Sequence, residues 1–338
     1  MADKLSSLFD TDWPLKTLIA LLALYLGGAF FIGLYWNSEP DPFNVAEVAA
    51  QSAEANHEQQ TVGYTSTTTL IKLGDILLHK PGGYLTNDVT PPGVWLDNIP
   101  NWEFGVLVQI RDFARAMRRD FARSQSQSTE DADIALAEPL FNFDNNSWAV
   151  PDTEGEYARA LVLMEKYRQR LTASTEPRAQ FNARADNLAN WLQDVQSRLG
   201  SLSQRLSASV GKKRINLDLN SILQPKTGEE GDEDFESKTP WTQIDDVFYE
   251  SRGSAYALIH LLKAVEVDFA DVLRSKNALL SLRQIIRELE ATQQTVWSPV
   301  VLNGSGFGLF ANHSLVMASY ITRANAAMME LRELLQKG

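Results

Sequence analysis

The chain has 338 residues, no cysteine and a formal net charge of −12. Without cysteine there are no disulfides, iron–sulfur clusters or thiolate nucleophiles, and the acidic balance argues against nucleic acid as a partner. The four histidines fall into no metal-ligand spacing, so the sequence points to no metal, no cofactor and no catalytic residue.

Near the amino terminus, residues 17–36 (TLIALLALYLGGAFFIGLYW) form an apolar run of twenty residues without a charge. A helix rises about 1.5 Å per residue, so this run spans the roughly 30 Å hydrocarbon core of a bilayer. It is longer than the apolar region of a cleaved signal peptide, about 7–15 residues. Lys4 and Lys16 precede it and no Lys or Arg follows until Lys72. The positive-inside rule then predicts a single-pass anchor in a bacterial inner membrane, with the tail 1–16 cytoplasmic and the bulk of the chain periplasmic.

After the anchor, residues 37–62 are acidic and alanine-rich, and we expect a helical stalk. A Thr-rich segment, 63–69, ends the stalk, and the apolar residues of 70–80 fit a short helix or a strand. Residues 80–100 are rich in Pro and Gly, which indicates turns. Large apolar side chains within this loop favour packing onto the domain. A partner-binding loop is the alternative, with Tyr84, Trp95 and Trp102 as its contacts.

The next predicted helix begins at Asn98 or Asn101, ends near residue 124 and has an apolar stripe. Another of its faces carries the densest cationic feature of the chain, formed by Arg111, Arg115, Arg118, Arg119 and Arg123. Guanidinium groups bind carboxylates and phosphates through paired hydrogen bonds. This arginine face is therefore a candidate contact for lipid headgroups, anionic glycan or an acidic partner. Alternatively, the arginines pair within the chain, with an acidic segment further along or with Glu130, Asp131 and Asp133.

The rest of the first helical part, 63–227, is dominated by helix patterns. Between residues 181 and 206 the apolar residues step by four and three, which is typical of a coiled-coil-like helix. Such a seam predicts packing against a protein partner or a second copy of the chain. Residues 228–240 are an acidic linker, with six acids among the eight residues 229–236, and such a block favours solvation.

The C-terminal helical part, 241–338, begins with a heptad-patterned region that extends to Pro299. This region is either one long helix or two helices divided at Gly253. A last helix follows from about Asn312. Taken together, the patterns predict a mainly α chain. It has one N-terminal transmembrane helix, followed by a helical-bundle soluble domain with long antiparallel, partly coiled-coil-like helices.

Motif-like strings in this chain do not indicate chemistry. An SxxK at 209–212 and a KTG at 226–228 lie too close together for a penicillin-binding enzyme. The glycine-rich 304–308 lacks the strand and the GK[ST] ending of a phosphate loop. His260 and His313 are both predicted on helices, where a histidine that is hydrogen-bonded in the core or exposed at the surface is the expected role rather than a catalytic base. Paired carboxylates of a glycan hydrolase could be drawn from Glu103, Glu266, Asp268 and Glu288, but nothing in the sequence selects a pair.

Three long strings carry a family resemblance: 80–105 (KPGGYLTNDVTPPGVWLDNIPNWEFG), 248–273 (FYESRGSAYALIHLLKAVEVDFADVL) and 303–327 (NGSGFGLFANHSLVMASYITRANAA). They resemble a family of proteobacterial inner-membrane proteins, domain of unknown function 2333, over essentially the whole chain. The resemblance implies a Gram-negative envelope protein with one membrane span and brings no catalytic residues. The resemblance leaves the function open. The two heptad-patterned regions, the stalk, the aromatic-bearing loops and the lack of a catalytic constellation in the sequence lead us to expect a non-enzymatic, membrane-anchored helical scaffold or tether. A cell-wall glycan hydrolase and a sensor of anionic lipid or glycan are the alternatives.

Overall fold

The computed structural model describes residues 12–123, 129–173, 178–214, 235–298, 300–304 and 309–337. The chain is mainly α and forms a helical bundle, which confirms the predicted fold class. Its helices are α1 Asp12–Trp36, α2 Val45–Asn56, α3 Tyr64–His79, α4 Asn98–Ala116, α5 Ala132–Phe141, α6 Thr153–Thr172, α7 Ala185–Ser207, α8 Ile244–Asp268, α9 Ala270–Ser275, α10 Leu279–Ala291 and α11 His313–Gln336. Two short strands, β1 Lys212–Arg214 and β2 Phe235–Ser237, pair antiparallel. The acidic residues 228–234 lie outside the described residues.

The apolar helix α1 projects from the bundle with most of its side chains exposed. Its stretch Leu15–Trp36 has a mean hydropathy of 2.2 and is long and apolar enough to cross a membrane. Only Ala29 and Gly33 of this stretch are buried, because a loop of the bundle lies against that side of the helix.

From α3 to α8, and then α10 and α11, successive helices of the bundle alternate in direction. In the pair α7–α11, for example, Ser203 bonds Thr322 whereas Gln196, seven residues earlier, bonds Arg332. The alternation places the α3–α4, α5–α6, α7–α8 and α10–α11 connections at one end. We call this end, from which α1 projects, the α1 end, and the opposite one the far end.

Two of these connections contact each other or α1 directly. In the α3–α4 connection, Gly82 packs on the ring of Trp36, the last residue of α1. The side-chain amide of Asn87 donates to the carbonyl oxygen of Ser147 in the α5–α6 connection at 2.8 Å. Both connections therefore lie where α1 enters the bundle.

The other two connections adjoin the same point through α8. Arg252 binds Glu39, three residues after α1, and also a backbone oxygen of Gln294 in the α10–α11 connection. The α7–α8 connection follows the end of α7, where Arg205 pairs with Glu250. All four connections thus begin and end at the α1 end of the bundle.

One neighbouring pair, α4 and α8, runs parallel and crosses at very close range. At the crossing, a Cβ on Gly105 would overlap the backbone oxygen of Glu250, and one on Gly253 would overlap that of Trp102. Gly253 therefore does not divide the helix that contains it. The heptad region divides instead after Asp268, where Phe269 leaves the helical region, and near Asn277, which takes a left-handed conformation at φ 52.

The Thr-rich segment 63–69, predicted to end the stalk, forms the beginning of the helix α3. Gly63 provides no side-chain cap, but the carboxylate of Asp268 accepts from the backbone N–H of Ser66 at 2.7 Å. A carboxylate at a helix N-terminus satisfies donors that the helix leaves open. The helix can begin there because α8 supplies its cap.

The seam predicted between residues 181 and 206 is buried along α7. It packs on α11 and on α4 of the same chain, through contacts such as that between the rings of Trp191 and Phe113. The α7 seam is thus covered within the chain, and self-association through it stays a prediction.

Candidate functional site

Three contacts join the segment that follows α1 to one face of α8. Glu39 pairs with Arg252, the carbonyl oxygen of Asp41 accepts from the hydroxyl of Tyr256 at 3.0 Å, and the ring of Phe43 stacks on His260 at 3.9 Å. We call these three pairs the anchor clamp. The clamp fixes residues 39–43 to the bundle directly after α1.

The clamp follows from two matching periodicities. Arg252, Tyr256 and His260 are spaced by four residues and share one face of α8, with steps of about 6 Å. Their partners alternate along a stretched chain, where two residues span about 6.6 Å. Spacing by four on the helix and by two in the segment is the signal that sequence reasoning missed.

Arg252 has the densest set of partners in the clamp. Its guanidinium donates to both carboxylate oxygens of Glu39, at 2.6 to 3.1 Å, and to the backbone oxygens of Thr292 and Gln294 at 3.0 and 2.8 Å. The side chain is buried, so each of these bonds replaces one with water. Arg252 therefore ties three parts of the α1 end together: the segment after α1, α8 and the α10–α11 connection.

His260 is fully buried and carries its proton on one defined nitrogen. Its Nε2 accepts from the backbone N–H of Phe43 at 3.0 Å, and its Nδ1 lies 2.7 Å from the carbonyl oxygen of Tyr256. Nδ1 is therefore the protonated nitrogen of a neutral ring. Burial lowers the pKa of His260 to about 4, because a charged imidazolium would lose its hydration and would have no acceptor for an Nε2 proton.

We expect the free energy of unfolding to fall less steeply with decreasing pH in His260→Gln than in the wild type. The folded pKa, about 4, lies below the ordinary 6.5, so the unfolded chain binds the proton first as pH falls. The contribution of neutral His260 to the free energy of unfolding is complete above pH 6.5 and is lost as the pH falls towards 4. One pKa unit corresponds to about 1.4 kcal/mol, so the whole loss is up to about 3 kcal/mol. Urea unfolding of the full chain in detergent at pH 7.5, 6 and 5 measures the effect.

His79→Gln is the control, since this exposed histidine of α3 lies outside the clamp. We expect it to change the stability by under about 1 kcal/mol, because its pair with Asp75 is exposed to water. An equal slope for wild type and His260→Gln would contradict the buried neutral histidine.

The α3–α4 connection is held in place from inside the bundle. The buried carboxylate of Glu103 pairs with the ammonium of Lys80 and accepts from the backbone N–H groups of Leu85 and Thr86, each at 2.9 Å. The rest of the connection then lies along α1, where the hydroxyl of Tyr25 donates to the carbonyl oxygen of Pro91 at 3.0 Å.

An apolar cleft of about 290 Å³ lies beside the clamp, between α8, α10 and α11. Phe248 and Arg252 form its α8 side, and His313 lies opposite. The Nδ1 of His313 accepts from the N–H of Leu302 at 3.0 Å, and burial lowers the pKa of His313. Most of the described lining residues are apolar or aromatic, among them Val296, Val316 and Met317, which suits apolar groups.

Of the residues proposed as a partner loop, the structure brings only one to the surface. Tyr84 and Trp102 are buried, whereas Trp95 is half exposed. Tyr84 donates to the carbonyl oxygen of Asn145, and the ring of Trp102 packs on Tyr256 of the clamp. A contact of the loop with another protein stays a prediction, and Trp95 is its accessible residue.

The arginine face is largely paired within the chain. Arg111 donates to the backbone oxygens of Phe141 and Phe143, Arg115 pairs with Asp112, and Arg119 with Asp120 and Asp194.

Arg118 pairs with Glu130 and Glu138, and the backbone of Arg123 accepts from Asn182. Asp131 and Asp133, expected as alternative partners of the face, pair instead with Arg170 of α6. An external anion would have to compete with these carboxylates, and anion binding stays a prediction.

Each of the four candidate carboxylates has a partner within the chain. Glu103 pairs with Lys80, and Asp268 caps α3. Glu266 pairs with Arg283 and Glu288 with Arg323. Among the described residues, no group of three or more acidic or histidine side chains is arranged to hold a metal ion.

Comparison with known protein families identifies the family of this chain. It belongs to the bacterial family described as "Uncharacterized protein conserved in bacteria (DUF2333)", whose sequence model matches residues 10–338. No curated protein and no solved structure matches it.

Proposed function

We propose that this protein is a single-pass protein of the bacterial inner membrane that acts without catalysis as a scaffold or tether of the cell envelope. In this proposal α1 spans the bilayer, the amino terminus is cytoplasmic and the bundle is periplasmic. The apolar length of α1 and the two lysines before it, at 4 and 16, support the anchor and its direction.

The anchor clamp is the observation that carries the scaffold role. Arg252, Tyr256 and His260 bind the chain only three to seven residues beyond Trp36, which leaves little free chain between helix and bundle. A catalytic domain that searches for substrate gains from a long flexible linker, since reach grows with linker length. A scaffold gains from a short, fixed connection. When its distance from the membrane and its orientation are fixed, the effective concentration of its binding surface for a membrane partner is higher.

The buried network supports a non-catalytic role. The candidate carboxylates Glu103 and Asp268 and the histidine His260 are buried and are bonded to backbone groups of the chain itself. Buried polar groups satisfied in this way stabilise a unique arrangement of the helices. The described part of the chain therefore offers a rigid body for other proteins to bind.

An insertion that separates anchor from clamp tests the scaffold. We expect six Gly/Ser residues between Trp36 and Asn37 to reduce, several-fold, the amount of partner protein that co-purifies with the full chain. The bundle would fold with its clamp intact, but the clamp would no longer fix it to α1, and only the contacts of the α3–α4 connection with Tyr25, Gly33 and Trp36 would remain. The measurement is affinity capture after chemical crosslinking in native membranes, with quantitative mass spectrometry.

The same six residues inserted between Thr129 and Glu130, at the far end, form the matched control and should leave recovery unchanged. A wild-type protein that is monomeric and retains no protein in stoichiometric amount would contradict the scaffold role. Equal recovery from both insertion variants would contradict the importance of the clamp.

A further inference from the structure

We propose that the α1 end of the bundle is itself a bilayer-binding surface, on which four loops insert tryptophan side chains into the lipid interface around α1. These four residues, the tryptophan face, are Trp95, Trp148, Trp241 and Trp297. The inference rests on the proposed anchoring, since α1 must span the bilayer for its base to lie at the lipid surface.

The distribution of tryptophan in the chain is the first observation. Of the eight tryptophans, two lie in α1, and Trp102 and Trp191 are buried in the core. The other four are between 49% and 92% exposed, and each of the four connections at the α1 end contains one of them. The connections at the far end contain no tryptophan. Tryptophan is enriched at membrane–water interfaces, where its apolar ring and its N–H group both find suitable surroundings.

The α10–α11 connection is the second observation. Its twenty-one residues, 292–312, include no charged side chain. In the same connection as Trp297, the side chains of Val300, Leu309 and Phe310 are more than half exposed. Soluble surfaces rarely present so many apolar groups in one uncharged loop, and such a patch marks a membrane or protein contact.

The path of the α3–α4 connection along α1 identifies the bilayer as the partner. Pro92 lies against Gly33, and the carbonyl oxygen of Pro91 is bonded by Tyr25. These contacts lie three and eleven residues before the end of α1, or about 4 and 16 Å along its axis. If residues 17–36 cross the bilayer, this loop enters the lipid beside them.

The chemistry of the part of the loop that lies against α1, Pro91–Pro92, suits lipid. Proline has no backbone N–H, so the pair Pro91–Pro92 brings no unpaired donor into an apolar medium. The carbonyl oxygen of Pro91 is already satisfied by Tyr25. Next to them, the side chains of Val89, Val94 and Trp95 are about half exposed and are free to contact acyl chains.

Single cysteine variants test the surface directly, because the natural chain has no cysteine. Val94→Cys, Val150→Cys and Val300→Cys place a label on three connections of the α1 end, where each valine is at least half exposed. The label is the environment-sensitive fluorophore NBD, on the full chain reconstituted into phosphatidylethanolamine–phosphatidylglycerol vesicles that contain nitroxide-labelled lipid. We expect blue-shifted emission and lipid quenching several-fold stronger than at the control position.

The matched control is Val62→Cys, a valine of similar exposure in a connection at the far end. Leu24→Cys, in the middle of α1, reports anchoring separately. Quenching at Leu24 with none at the three α1-end positions would overturn the bilayer-binding surface and leave the anchor intact.

Absence of quenching at Leu24 would overturn anchoring and the surface together. Labels on the α1 end that are protected from both lipid nitroxides and aqueous iodide would show a protein covering this surface, which would also overturn the proposal. Circular dichroism of each variant confirms that the helices are retained.

Discussion

Replacing Gly253 by alanine is expected to lower the free energy of unfolding by about 3 kcal/mol, although alanine is the better helix former. The added methyl group would overlap the backbone oxygen of Trp102. This obstacle is main chain of a neighbouring helix, so no side-chain rotation removes it. The helices α4 and α8 would have to separate, and the side chains packed on both sides of the crossing would lose contact.

The loss should also reach the anchor clamp. Gly253 follows Arg252 directly, and Trp102 packs on Tyr256. Moving α8 away from α4 therefore displaces two clamp residues from their partners after α1. We expect urea unfolding of the full chain in detergent to show a lower midpoint with an unchanged dependence on denaturant.

Gly200→Ala provides the matched control within another buried helix. A Cβ at Gly200 of α7 would meet only the side-chain amide of Asn325, at 3.7 Å. This substitution should stabilise the protein by about 0.5–1 kcal/mol, because it restricts the unfolded chain without a clash. Two substitutions of the same kind should thus have opposite signs. A neutral or stabilising effect of Gly253→Ala would show that α4 and α8 leave room for a methyl group where they cross, and would contradict the close crossing.

The sequence predicted the elements of this fold better than their arrangement. The α7 seam and the apolar run of α1 are local patterns, and hydrophobic periodicity reports them directly. The first turn of α3 was misjudged, because its cap, Asp268, is about 200 residues away. The role of Gly253 was missed for the same reason: a close crossing depends on Trp102, which lies far from it in the chain.

The candidate site was predicted least. The arginine face is prominent in the sequence and suggests an exposed binding surface. In the structure, Arg111 and Arg118 instead bond to groups of their own chain. The clamp was overlooked since each of its members has an ordinary local context. Only the pairing of Arg252 with Glu39, over 213 residues, gives them a common role. Such a pairing leaves no signal in the composition or periodicity of a single chain.

We expect Arg252→Met to lower the free energy of unfolding by about 4 kcal/mol, the largest effect of a single charge removal in the clamp. Methionine has a similar length and keeps the apolar contacts, but it provides no donor. Four acceptors would lose their partner: two oxygens of the Glu39 carboxylate and the backbone oxygens of Thr292 and Gln294. The bond to Thr292 is buried and those to Glu39 and Gln294 are part-buried. An acceptor shielded from water that loses its donor costs part or all of the desolvation of that group.

Arg205→Met is the control for the loss of an arginine. Arg205 also donates to both oxygens of a glutamate, Glu250 of α8, at 2.6 and 2.7 Å. Its side chain is 45% exposed, so water replaces the lost bonds and salt screens the pair. We expect a change of under about 1 kcal/mol there. Similar costs for Arg205→Met and Arg252→Met would contradict the structural role of the clamp.

Glu39→Leu combined with Arg252→Met separates the two parts of this cost. The double variant has no part-buried carboxylate without a partner, so it should recover the share of stability lost to Glu39. It should not recover the share lost to Thr292 and Gln294, because their oxygens still have no donor. Partial recovery in urea unfolding would therefore show that Arg252 holds both the segment after α1 and the α10–α11 connection. Complete recovery would show that the ion pair alone is needed, and that this connection is held at the α1 end by its own contacts.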